Sequence, residues 1–257
     1  MESVFKLGGN WPYKPHIPSN HSYIHNINCP IISSIPLEVN HMKNERKERA
    51  LEIIRRLEQM YPGAKIALNF KNPYELLVAV VLSAQCTDKR VNEVTPKVFE
   101  RLPTPEAMAS APIEEIEELI RPTGFFRNKA KNLKRACQMI VKHYGGQVPR
   151  TMEEMLTLPG VARKTANCVL YSAYGEITGI AVDTHVKRLA KRLGLTDYDN
   201  PDKIEKDLME LIPKEKWGEF SFALIRHGRE ICKARKPLCN KCKLSDICPS
   251  AFKPQGK

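Results

Sequence analysis

The chain has no apolar run long enough to cross a membrane; the longest candidates, such as Leu76 to Leu82 in YELLVAVVLSA, suffice for a buried helical turn or two. It is short of acidic side chains, with 29 Asp and Glu against 41 Lys and Arg, which gives a formal net charge of +12 over 257 residues. A polyanion such as nucleic acid is therefore the first partner to consider. No stretch alternates apolar and polar residues with the period of a strand, so an all-α chain is expected. Residues 1 to 41 contain no arginine and no continuous apolar core, and neither an organelle transit peptide nor a secretory signal fits them. What is present, 42% hydrophobic residues, is enough for one large or two small globular domains.

The first segment reads unlike the rest. NWPYKPHIPSNHSYIHNINCPIISSIPLEVN is dense in Pro, Asn, Ser and His, keeps no sustained period, and is expected to be a disordered extension over residues 1–41. Its charges, Glu2, Lys6, Lys14 and Glu38, cancel, so the whole basic excess follows His41. The loose spacing of His16, His21, His25 and His41 reads as solvated polar residues rather than a metal site. From Met42 the pattern turns helical. RALEIIRRLEQMY places Ala50, Ile53, Ile54, Leu57 and Tyr61 on one face, and IEEIEELI spaces its isoleucines by three and four. Pro and Gly interrupt these stretches at short intervals, and about ten short helices are expected.

Cys232, Cys239, Cys242 and Cys248 form C-x6-C-x2-C-x5-C, half of the eight cysteines within 17 residues. With no secretory signal to place them in an oxidising compartment, metal ligation is favoured over disulfides. Four thiolates hold either zinc or an iron–sulfur cluster, and ligand type alone does not separate the two, with generic spacing leaning slightly to zinc. The intervening loops carry Lys233, Arg235, Lys236, Lys241 and Lys243 against only Asp246, a set of cations suited to phosphates. Cys86, Cys137 and Cys168 read as buried small hydrophobes.

TMEEMLTLPGVARKTANCVLYSAYG reads as a helix, a tight turn at Pro159-Gly160, and a second helix that buries Ala166, Val169, Leu170 and Ala173. The turn's N–H groups and the start of the second helix suit a phosphate. The same dipole works against a protonated amine at Lys164, which sits beside Arg163 and is expected to be partly desolvated, so the residue is a candidate nucleophile. Nineteen residues on, GIAVDTHVKRLAKRLGL supplies Asp183. It reads both as a helix N-cap and as a carboxylate able to face a cationic centre.

LPGVARKTANCVL, then AVDTHVKRL, then C-x6-C-x2-C-x5-C resembles the endonuclease III family of helix-hairpin-helix DNA glycosylases, over about residues 45 to 250. The resemblance implies a two-domain all-α fold. A six-helix barrel domain with the hairpin would span 67–176, and an iron–sulfur domain would join 42–66 to 177–253. It also implies a [4Fe-4S] cluster on Cys232, Cys239, Cys242 and Cys248. The partner it implies is double-stranded DNA with a damaged base or abasic site, bound by a monomer; a cytoplasmic, nucleoid-associated setting suits a chain in which no targeting signal is read.

By the same resemblance, Lys164 and Asp183 are the catalytic pair of a bifunctional glycosylase and β-elimination lyase acting on oxidised or damaged pyrimidines. Gln85 in LSAQCTD and Phe125 in TGFFRNKA match wedge residues that enter the duplex, although Phe126 is an alternative for the exposed aromatic. Gly160, Ala162, Arg163, Lys233, Arg235 and Lys236 complete the expected DNA contacts, and His185 resembles a site-supporting residue. The chain departs from the family's Gly-Val-Gly hairpin at Ala162, which would cost about 1 kcal/mol if its backbone had to be left-handed. Two other readings stay open: a glycosylase for mismatched thymine or uracil, and a non-catalytic iron–sulfur DNA-binding protein.

Overall fold

A computed structural model describes residues 35–253, with side chains from residue 44 onward. Among the described residues there are eleven α-helices, three short 3-10 turns and no strand. None of these helices is long and apolar enough to cross a membrane. The histidines at 16, 21 and 25, Cys29, and most of the stretch expected to be disordered lie outside the described residues. Residues 35–41 differ from expectation, because they open the first helix, α1 (Ile35–Met60). Pro36 falls in its first turn, where a missing N–H costs no helical hydrogen bond.

The helices that follow begin where local chemistry dictates. α2 (Pro73–Leu82) starts with Asn72 accepting from the Glu75 N–H at 2.9 Å and with proline at its first position. It is apolar all round, and every residue from Tyr74 to Leu82 is buried, so α2 runs through the middle of its core. Thr87 caps α3 (Asp88–Arg101) and Thr104 caps α4 (Pro105–Ser110). α5 (Ile113–Ile120) buries Ile116 and Ile120 and leaves its glutamates toward water. α6 (Phe126–Tyr144) ends at Gly145 in the left-handed region, φ 57°. α7 (Met152–Thr157) opens on a reciprocal cap, in which the Thr151 hydroxyl donates to the Glu154 carboxylate at 2.9 Å and accepts from its N–H at 3.3 Å.

α8 (Arg163–Tyr174) packs against α2, and α4 packs against α6. α9 (Thr184–Arg192), α10 (Pro201–Leu211) and α11 (Trp217–Glu230) complete the chain before an irregular C-terminal loop.

Two apolar cores result. The first gathers side chains from Leu68 to Leu170, the segment of α2 through α8, with Leu76, Met108, Ile120, Leu133 and Met155 all fully buried. The second combines the predicted face of α1 (Ala50, Ile53, Ile54, Leu57 and Tyr61) with α9, α10 and α11. Each fully buried side chain of this size contributes roughly 1.5–3 kcal/mol relative to exposure. The cores are stitched together by residues of the second half of the chain that reach into the first, Ala181 and Phe222, and by Ile225, which packs against both. The seam between them carries the cleft described next.

Candidate active site

The hairpin between α7 and α8 is shaped by one glycine. Gly160 has φ 79°, and a Cβ placed there would come within 2.9 Å of the Asn132 Cβ, so both backbone and neighbour require the small residue. Val161, buried, pins the turn and donates from its N–H to the Leu158 carbonyl at 3.1 Å. Ala162 adopts φ −97°, ψ 169°, an extended conformation open to any residue, so alanine in place of the second hairpin glycine carries no strain. No side chain caps the start of α8. Its first N–H groups therefore stay oriented toward whatever approaches the hairpin.

Lys164 is the second residue of α8 and is exposed, not partly desolvated as expected. The helix beneath it is fixed by a buried carboxylate from α10. Glu205 accepts from Arg163 Nε at 2.5 Å, from Asn167 Nδ2 at 2.9 Å and from the Ile180 N–H at 3.2 Å. Its hydrogen bond to Arg163 is the main reason the guanidinium is held above its ordinary pKa. Arg163, expected to face DNA, thus commits its Nε to the fold, while its side chain stays 40% exposed.

Asp183 plays the structural part anticipated for it. Its Oδ1 accepts from the N–H groups of His185 and Val186, both at 2.8 Å, and caps α9. Asp183 and Lys164 line the same cleft, of about 290 Å³, together with Asp88, Ser83, Cys168 and Phe222. Arg229 of α11 meets Asp88 of α3 at 2.7 Å, joining the two sides. Burial pushes the Cys168 thiol up to about 11, so the sulfur in the cleft is a thiol and not a thiolate. Burial also lowers His185 from its usual value, against the pull of Asp183, and its Nδ1 lies 3.2 Å from Arg188. Asp88 and Arg229 were not legible from spacing, because 141 residues separate them and only packing of the two cores joins them.

Gln85 and Phe125 stand on two neighbouring loops with the same unusual backbone, φ 53° and φ 48°. Both are exposed, Phe125 by 67%. Phe126 is the half-buried member of its pair, with Arg121 and Arg127 over its ring at 4.9 and 5.2 Å. The left-handed region is rare for non-glycine residues and marks conformations held by their surroundings.

Beyond α11, Cys232, Cys239, Cys242 and Cys248 are free thiols around one cavity, walled by Leu189, Leu193 and Ile231. Polar groups already point at the sulfurs. Arg192 reaches Cys232 Sγ at 3.3 Å, the Leu244 N–H reaches Cys242 Sγ at 3.4 Å, and His227 Nε2 lies 3.4 Å from Cys242 Sγ. Arg192 also donates to the carbonyls of Lys233 at 2.8 Å and Ala234 at 2.7 Å, fastening the loop that exposes Lys233, Arg235 and Lys236. Among the described residues, no group of three or more His, Cys, Asp or Glu side chains is placed to hold a single metal ion. Cys137 and Cys168 are buried and Cys86 is half-buried.

Comparison with known proteins is consistent along most of the chain. Residues 78–214 match the family described as HhH-GPD superfamily base excision DNA repair protein. An endonuclease III of Synechocystis sp. is 58% identical over 206 residues, covering 80% of this chain and 94% of its own. Two solved structures, a non-covalent endonuclease III–DNA complex and a trapped endonuclease III–DNA covalent intermediate, each superpose with a TM-score of 0.77 at 45% identity. Each covers 80% of this chain and 97% of its own.

Proposed function

The chain belongs to the endonuclease III family of the HhH-GPD base excision DNA repair superfamily, and from that premise we propose a bifunctional DNA glycosylase and abasic-site lyase that removes oxidised or damaged pyrimidines. The observation that carries the reading is the meeting of Lys164, at the start of the hairpin's second helix, with Asp183, at the cap of α9, in one cleft. The two cores are read as the two domains, residues 67–176 and residues 42–66 with 177–253. A cytoplasmic, nucleoid-associated setting goes with this function.

The chemistry follows from what each group is. A damaged nucleotide turned out of the duplex brings its C1′ to Lys164. Once its ammonium proton has passed to solvent, the Lys164 Nζ attacks C1′ with its lone pair, and the C1′–N bond breaks with its electron pair leaving on the base, which then takes up a proton. Transfer of the remaining excess amine proton to O4′ as the C1′–O4′ bond breaks opens the sugar ring and gives an iminium between Nζ and C1′. Its electron demand acidifies the C2′ proton, and removal of that proton expels the 3′ phosphate. Asp183, fixed by two backbone N–H groups on Oδ1, offers its carboxylate to the positive charge developing on the sugar. Gln85 and Phe125 fill the gap left in the duplex, while the hairpin at Gly160 and Ala162, with Arg163, Lys233, Arg235 and Lys236, contacts the backbone.

The four cysteines suit a [4Fe-4S] cluster. Four thiolates are the donor set such a cluster takes, and here four thiols line one cavity, with N–H donors at Cys232 and Cys242. When bound, the cluster supplies a crosslink among Cys232, Cys239, Cys242 and Cys248 that holds the basic loop in shape.

Excision from a panel of duplexes tests the reading. Release of oxidised pyrimidines with strand cleavage on the 3′ side is expected. Excision of mismatched thymine or uracil alone would move the chain to the second reading, and tight binding without excision of any base to a non-catalytic one.

A further inference from the structure

The loops bearing Gln85 and Phe125 are far apart in sequence, yet one buried side chain touches the base of each. Lys129, on the first turns of α6, is only 6% exposed. Its Nζ donates to the Leu82 carbonyl at 2.8 Å and to the Thr123 carbonyl at 2.9 Å. Leu82 is the last residue of α2, three positions before Gln85, and Thr123 ends the turn two positions before Phe125. The Lys129 backbone N–H donates to the Phe125 carbonyl at 3.2 Å, so this residue holds the second loop twice.

Apolar packing alone does not account for a lysine here. Burying an ammonium is costly, and burial lowers its pKa from the ordinary lysine range. A methionine of similar length would fill the same apolar surroundings without that penalty. What methionine cannot do is supply two donors to two carbonyls that belong to different loops, one of them at the C-terminal end of a helix, where a cation is also favoured. Gln85 and Phe125, two of the three described non-glycine residues in left-handed backbone, lie just beyond those two carbonyls.

We propose that Lys129 is a positioning residue that locks the Ser83–Thr87 and Arg121–Phe125 loops into one rigid element, so that Gln85 and Phe125 enter a duplex as a unit. The inference rests on reading these two residues as the wedge. It requires that loss of Lys129 harm reactions needing a nucleotide to be turned out of a duplex more than reactions on single strands, where no gap has to be filled.

The test compares cleavage of an abasic site in a duplex with cleavage of the same site in a single-stranded oligonucleotide, for the wild type, Lys129→Met, Phe125→Ala and the double variant. Lys129→Met is expected to lower the duplex-to-single-strand ratio about tenfold, within the range of coupling between residues that share a network. The double variant should fall little further than the worse single one. Lys129→Gln, which keeps a donor for one carbonyl, should fall between wild type and Lys129→Met, and it carries the test if the methionine variant does not fold. A ratio equal to wild type, a fall of both activities in step, or full additivity with Phe125→Ala would overturn the proposal. A wild type that cleaves neither strand form would instead remove the lyase reading, and an unchanged ratio in Phe125→Ala the wedge reading; the proposal falls with either.

Discussion

Between Leu68 and Leu170 the chain is organised by burial, with a central helix, α2, enclosed on every side, whereas between Ile231 and Lys253 only Leu244 is buried. The first region places Lys164 by packing: Val161 and Ala166 are anchored in the core, and Glu205 grips the helix from below. The second has a single 3-10 turn and relies on arginines of α1 and α9 that reach it, Arg56, Arg188 and Arg192, on local backbone hydrogen bonds, and on whatever its four thiols hold. On the proposed function, Lys164 therefore stands on a frame supplied by packing, while the basic loop is the part to which a crosslink among its cysteines would add order. A short segment with so little apolar burial cannot offset its own ordering entropy.

The sharpest way to break this contrast is Cys239→Ser. Purified wild type should be yellow-brown from thiolate-to-iron charge transfer, and the variant should lose the colour entirely. Its DNA binding should weaken and hydrogen exchange should rise across residues 231–253, with α2 still protected. A colourless wild type with stoichiometric zinc, or loss of protection in both regions alike, contradicts the account. On the other side, Leu76→Ala should lower the unfolding free energy by about 2–5 kcal/mol in denaturant titration, because the residue is fully buried in α2. A loss under about 1 kcal/mol would mean that this core does not carry the frame.

The hairpin gives smaller effects of opposite sign. Gly160→Ala should cost about 1–2 kcal/mol for its positive φ and the approach to Asn132, whereas Ala162→Ser should gain about 0.5–1 kcal/mol by supplying the missing cap to α8. Thermal unfolding of both variants checks the pair, and equal signs would show that the hairpin geometry is misread. The smallest expected effect is chemical. Cys168, pushed up to about 11, is the thiol at pH 8, and only about one molecule in a thousand carries the thiolate there. Its alkylation in the native protein should therefore climb roughly tenfold per pH unit until the pH nears that value. A rate at pH 8 equal to that of the unfolded chain would place the sulfur outside the buried wall of the cleft.

Much of this arrangement was legible because it is local. The apolar face of α1, the hairpin at Pro159-Gly160 and the cap by Asp183 each depend on residues within a few positions of one another, where period and capping chemistry speak directly. The helical start at residues 35–41 carries little sequence signal, because the Pro- and Asn-rich composition upstream masks a proline placed at a helix start. The harmless conformation of Ala162 was open in advance, since type alone does not fix φ. Lys129, Glu205, Asp88 and Arg229 gave no signal at all: each has a partner tens of residues or more away, brought to it only by the packing of helices.

The central claim, that Lys164 is the nucleophile on a frame independent of the cysteine loop, is tested most directly by borohydride reduction with a duplex holding a single abasic site. Wild type should form a covalent adduct that maps to the peptide carrying Lys164, and Lys164→Gln should form none while still binding the duplex. An adduct that persists in Lys164→Gln, or a wild type that binds tightly without forming one, would contradict it.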